Sequence, residues 1–238
     1  MFFLLIYAQT KEVLKMNKNK IFDYVLKTPH NTNISVLNSM IMALLAENRV
    51  ADSAESLSSA LTEGKEAILT ADIETSSPIV INKEAALDLN KKTIKAQDGI
   101  AEYYMIKAEG EGAVITISGE GVISAGASQQ AIPVTAANGG KAIIKSGTYL
   151  AKGQMQCVYA NGGKVEIYGG TFSVVDGEKV KDLLNVQNMG QVTDIQVYGG
   201  RFIGRDPALG DDALGGSFVA PGYKSVEVEP GIFEVVKE

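Results

Sequence analysis

Catalysis by imidazole or thiolate would have to draw on a single residue of each kind, His30 and Cys157. A nucleophile–His–Asp triad needs its histidine in hydrogen-bond reach of the nucleophile, and a zinc site needs three or four ligands, so both chemistries are starved of residues here. One cysteine also rules out an internal disulfide, and Cys157, between Met155 and Val158, reads as a buried apolar filler. Carboxylates are more plentiful, with 28 Asp and Glu. Glycosidic bond hydrolysis needs two of them flanking the bond, one giving a proton and one activating water. Gly210-Asp211-Asp212 offers a pair, but it falls in a glycine- and aspartate-rich stretch, Gly199 to Gly216, and reads as solvated loop charge. Arg201 and Arg205 lie near Asp194 and Asp206 without forming a calcium cage. The expectation is no catalytic residue, no metal and no cofactor. Ligand binding is better served. Tyr168 and Tyr198 align with Lys145 on one outward row, next to Thr148, Thr171 and Arg201, where tyrosine rings could stack on carbohydrate or anchor a protein. The plainer alternative is a cross-strand ladder that stiffens a sheet.

The elements that must carry these residues belong to a chain of 238 residues, 45% hydrophobic and 21% charged. Mean hydropathy is +0.06. That profile supports a folded core rather than disorder or a multi-span membrane protein. A net charge of −6 and a pI near 5.0 argue against a nucleic-acid partner. Met1 to Ala8 is apolar but too short to span a bilayer and lacks a basic flank, so residues 1–15 read as a start-site extension or a weak signal.

Residues 16–50 form a segment of their own. Phe22, Tyr24, Val25 and Leu26 make a short apolar patch that halts at Thr28-Pro29, where proline holds the preceding residue extended. Asn33 or Ser35 can cap a following helix whose stripe is Val36, Leu37, Met40, Ile41, Leu44 and Leu45. A second amphipathic helix is expected over Ala51 to Gly64, with Leu57 and Leu61 on one face and Gly64 as its stop. Beyond Ala67 the period turns to that of strands: Ile79-Val80-Ile81, Leu87-Asp88-Leu89 and Val114-Ile115-Thr116-Ile117.

An internal repeat decides the fold class. Asn138-Gly139-Gly140-Lys141-Ala142-Ile143-Ile144 through Gly147-Thr148-Tyr149 is matched by Asn161-Gly162-Gly163-Lys164-Val165-Glu166-Ile167 through Gly170-Thr171-Phe172. A third copy ends in Ile195-Gln196-Val197-Tyr198-Gly199-Gly200-Arg201-Phe202, and Val114 to Ile123 is a degenerate earlier one. The spacings, about 23 and about 30 residues, are those of stacked repeat units. One coil cannot bury its own apolar residues. Stacked coils place Ala142, Val165 and Ile195 in one inner row, Ile144, Ile167 and Val197 in a second, and Tyr149, Phe172 and Phe202 in an aromatic third. Asn138, Asn161 and Asn188 share a corner, where asparagine accepts left-handed backbone and can form a side-chain ladder. This is a mainly β protein, a parallel β-helix. Residues 51–205 hold the capping helix and solenoid, and 206–238 a loop and C-terminal β-hairpin, with strands over Phe218–Val228 and Ile232–Val236.

Leu87-Asp88-Leu89-Asn90-Lys91-Lys92-Thr93-Ile94 resembles the LDLNGKTI stretch near the start of right-handed β-helices of the pectate-lyase-like superfamily, with Lys91 where glycine is usual. The resemblance implies a right-handed coil capped by a short helix, and leaves function open, because the superfamily holds lyases, hydrolases, adhesins and virion spikes. Tyr24-Val25-Leu26-Lys27-Thr28-Pro29-His30-Asn31-Thr32-Asn33, followed by Val36-Leu37, resembles the YVxxTPxNTNxxVL segment that opens many bacteriophage virion-associated proteins, head fibres and decoration proteins among them. That likeness covers about a dozen residues. It implies a docking peptide formed by Tyr24, Val25, Thr28, Pro29, His30, Asn31, Thr32 and Asn33, and a non-enzymatic virion structural protein located on the particle. Its partner would be a capsid or other virion protein, with host-surface carbohydrate as a second class and a homotrimer as one assembly that the resemblance allows. The competing expectations are a tailspike-like polysaccharide binder or depolymerase, and a bacterial surface adhesin.

Overall fold

The computed structural model describes residues 49–153, 155–175, 181–187, 190–191, 194–211 and 214–238. The chain divides into two compact units, Met1–Arg49 and Val50–Glu238. The helix expected over Val36 to Leu45 and the corner residue Asn188 lie outside the described residues.

Strand β1 (Arg49–Ala51) leads into helix α1 (Ala54–Thr62). Ser53, in extended backbone, starts the helix: its Oγ accepts from the Ser56 N–H at 3.2 Å, and Ser56 Oγ accepts from the Ser53 N–H at 3.1 Å. This reciprocal cap satisfies amides that have no partner within the helix. Leu57, Ala60 and Leu61 are fully buried where α1 packs on the first strands of the solenoid. This is the expected capping helix, shortened to the turns between Ser53 and Gly64.

The coils follow in order. The first holds β2 (Glu66–Leu69), β3 (Ile73–Thr75) and β4 (Ile79–Ile81). The next holds β5 (Glu84–Asp88), β6 (Thr93–Ala96) and β7 (Tyr104–Glu109). Then come β8 (Val114–Ser118), β9 (Val122–Ser124) and β10 (Ile132–Ala137). After them run β11 (Lys141–Ile144), β12 (Thr148–Ala151) and β13 (Val158–Asn161). Strands β14 (Lys164–Ile167), β15 (Thr171–Val174) and β16 (Leu184–Val186) precede the closing β17 (Ile195–Val197) and β18 (Gly200–Ile203). The chain ends with β19 (Tyr223–Glu229) and β20 (Ile232–Lys237). From β2 to β18 every third strand pairs with its equivalent in the next coil; these stacks form a 5-stranded sheet, a 7-stranded sheet that includes β1, and an 8-stranded sheet completed by β19 and β20. The strand ladders between successive coils are parallel, as a solenoid requires.

The inner rows run in the register that the repeat predicts. Ala142 pairs with Val165 and Val165 with Ile195, while Ile144, Ile167 and Val197 form the second row. Both rows continue into earlier coils, through Ile115 to Ala85 and through Ile117 to Leu87. Tyr149, Phe172 and Phe202 stack with centroids 5.0 and 4.9 Å apart. That separation is the strand spacing itself, so the rings lie flat on one another up the axis. The bend entering this row is held by glycine: Gly147, Gly170 and Gly200 have φ of +106°, +105° and +116°. A Cβ on Gly170 would lie 3.0 Å from the Gly147 carbonyl oxygen.

One expectation changes, and one sheet carried little readable signal. The Asn corner stacks through backbone: the Asn138 N–H donates to the Asn161 carbonyl at 3.0 Å and the Gly139 N–H to Gly162 at 2.6 Å. Asn138 is left-handed, with φ +51°, but the second bend passes that geometry to Gly162, and the Asn138 side chain donates to Glu109 at 3.0 Å. The third sheet, β4-β7-β10-β13-β16, was legible only at β4. In β10 all six residues are buried, so the strand shows no alternation to read. Among the described residues α1 is the one α-helix.

At the far end, β20 pairs antiparallel with β18, and β19 pairs antiparallel with β20 across Pro230-Gly231. Phe218 is buried beneath this end, and Val219 bridges to Val197 on the last strand of the 7-stranded sheet.

Candidate functional site

The residues with most capacity for recognition stand on the outer face at the bend following β14 and β17. Outward placement follows from the strand period: Val165 and Ile167 point in, so Glu166 and Tyr168 point out. Tyr168 and Tyr198 are brought together as their aligned positions predict, with centroids 4.8 Å apart and planes 9° apart. Tyr223, from β19, meets Tyr198 edge-on at 5.4 Å and 88°. Nothing in the repeat pointed to Tyr223, because it arrives from the chain that folds back after the last coil.

Tyr168 anchors a polar network. Its hydroxyl donates to Glu166 Oε2 at 3.1 Å, and Glu166 Oε1 pairs with Lys141 Nζ at 2.7 Å. Partial burial and the neighbouring Glu166 carboxylate both raise the Tyr168 phenol above its ordinary range, so it stays a neutral donor. Because the two rings stack on each other along the axis, their edges and hydroxyls, rather than a pair of flat faces, point away from the sheet. Among the described residues, Tyr198 is the one ring stacked on Tyr168.

Arg201 pairs across the sheet with Thr171, as expected, but its guanidinium is engaged. Nη1 holds Glu234 at 2.9 Å and Nη2 holds Glu229 at 3.0 Å, which ties the antiparallel pair β19–β20 to the last coil. Of the three residues expected to offer ligand contacts, two form one cluster and the third serves as a clasp.

The other candidates resolve into structural roles. Asp211 is a correction: it is 2% exposed rather than solvated. Its carboxylate accepts the Val186 N–H at 3.3 Å, on the edge of β16, and the Leu214 N–H at 3.0 Å. An aspartate in a glycine-rich loop carries no sign of such burial, since the strand edge that it satisfies lies in another coil. Asp212 lies outside the described residues. Asp206 caps a short helical turn through the Ala208 N–H at 2.9 Å, and Arg205 pairs with Asp182 at 3.5 Å. Cys157 is fully buried, its Sγ 3.2 Å from the Tyr149 carbonyl and 3.1 Å from that of Ser173. Burial pushes its thiol up to about 12, which suppresses the thiolate that any nucleophile would need. Among the described residues no group of three or more His, Cys, Asp or Glu is arranged to hold a metal ion.

A second outer cluster, on the third sheet, was not predicted. Lys107 pairs with Glu109 at 2.9 Å and sits 5.1 Å from the centroid of the Tyr104 ring. Its cross-strand neighbour Thr135 is fully buried. The docking residues Tyr24, Val25, Thr28, Pro29, His30, Asn31, Thr32 and Asn33 lie outside the described residues. Comparison with known protein families, curated proteins and solved structures gives no match to this chain.

Proposed function

We propose that this protein is a non-enzymatic structural component of a bacteriophage virion, a capsid-attached fibre, decoration or spike-like protein. The residues Tyr24 to Asn33 dock it to the particle, and a right-handed β-helix closed by a C-terminal hairpin projects as a rigid interaction module. The observation that carries this reading is the division of the chain at Arg49, which leaves the TPHNTN-containing segment in one unit and an unbroken solenoid in the other. A docking peptide binds by adding a strand or filling a groove, and Pro29 reduces the entropy lost when it does so. The solenoid supplies stiffness, because its aliphatic and aromatic rows run without interruption from coil to coil.

The polysaccharide-binding alternative draws on Tyr168 and Tyr198. Their mutual stacking favours the ladder role, since the faces they turn to each other, and the side of Tyr198 that meets Tyr223, are closed to a sugar ring. Deleting Ile21 to Asn33 separates the readings. Particles assembled with the deleted chain should lack it, while the purified chain keeps its β-rich circular dichroism. Normal incorporation of the deleted chain would remove the docking role.

A further inference from the structure

Strand β19 is the edge of the 8-stranded sheet, and it is seven residues long. Its exposed face is organised in a particular order. Lys224 stands opposite Val236, Val226 opposite Glu234, and Glu229 opposite Ile232 on β20. The irregularity between Glu227 and Glu229 matters here. A β-bulge adds one residue, which returns Glu229 to the face shared by Lys224 and Val226. The Arg201 clasp reports the same thing, since Arg201 holds Glu229 and Glu234 together on that face. The outer face of the edge strand therefore reads lysine, valine, glutamate at even steps. Val226 and Val236 remain 37% and 39% exposed there.

Charged residues on an edge strand ordinarily oppose pairing with another chain. This order is its own complement. When β19 is laid antiparallel against β19 of a second copy about Val226, the two Val226 side chains meet at the axis, and each Lys224 faces the other copy's Glu229. We infer that β19 is the pairing edge of a two-fold homodimer, joined by antiparallel strand addition centred on Val226.

Sedimentation velocity on the full chain over a concentration series tests this. The wild-type chain should form dimers, and Val226→Glu, at an already exposed position, should lose them. Lys224→Glu and Glu229→Lys should each lose the dimer alone, because each places like charges across both ends of the pair. Mixed one to one, the two variants should recover a heterodimer. The introduced glutamate of one chain then faces the introduced lysine of the other at one end, and the native pair is restored at the other end. A monomeric or trimeric wild-type chain overturns the inference. So does a dimer that Val226→Glu leaves intact, or a mixture that does not associate.

Discussion

Lys91 and Gly170 show how one backbone angle is met by unequal residues. Lys91 holds φ +61° in the bend after β5, beside Asn90 at +44°. A side chain in this region costs about 1 kcal/mol or more relative to glycine. Lys91→Gly should therefore raise stability by about 0.5–1 kcal/mol, read as a higher urea midpoint at unchanged slope. The ion pair it deletes, Lys91 to Glu120 at 3.6 Å, is almost fully exposed and weighs little. Gly170→Ala should do the reverse and cost about 2 kcal/mol, because φ of +105° and the Gly147 carbonyl both oppose a Cβ. At Cys157 the prediction concerns pH. The folded chain holds the thiol proton more tightly than the unfolded chain, so this contribution is complete below pH 9 and is lost as pH rises toward about 12. Unfolding measured from neutral pH into that window should show stability falling, and Cys157→Ala should flatten the early part of the fall. Native protein should resist alkylation at pH 8 and react once unfolded.

Strands gain their stability from rows, and the aromatic row is the most concentrated. Phe172 lies between Tyr149 and Phe202, in contact with a ring on either side. Phe172→Ala should cost about 3–5 kcal/mol, and Phe172→Leu clearly less, since leucine refills much of the cavity. On α1, Ser53→Ala should cost about 1 kcal/mol through the lost cap, measurable by the same unfolding experiment. Legibility followed burial at this scale. Strands β14 and β17 alternate between inner aliphatic and outer polar residues, so their faces could be assigned from period two, and β11, with Ile143 outward, was placed by its alignment with them. Strand β10 gave no such signal, with Ile132 to Ala137 buried on both sides. The Tyr168–Tyr198 pair was visible because both residues occupy one position of the repeat, whereas Tyr223 joins them only through the return of the chain.

For the whole molecule, the ends of the solenoid are the exposed liability. Helix α1 lies on the first strands, and β20 with β19 extends the edge that β18 would otherwise present. Truncation before Tyr223 should leave the coils folded by circular dichroism yet convert the chain to aggregates on size exclusion, because β18 would offer unpaired backbone along an open edge. The same logic explains Arg201, which holds Glu229 and Glu234 and so fastens the closing strands. The repeat of glycine bends and alternating residues determined by itself that coils stack, which residues fill them, and that Tyr168 and Tyr198 share an outer row. It could do so because a solenoid contact joins equivalent positions of neighbouring repeats, and equivalence is visible in one dimension. Only the tertiary structure decided the third sheet, the burial of Asp211, the engagement of Arg201 and the common face of Lys224, Val226 and Glu229. The third sheet also joins equivalent positions, but β10, buried along its whole length, carries no alternation to read. The other contacts join non-equivalent positions, and their partners are chosen by where the chain returns in space rather than by any period along it.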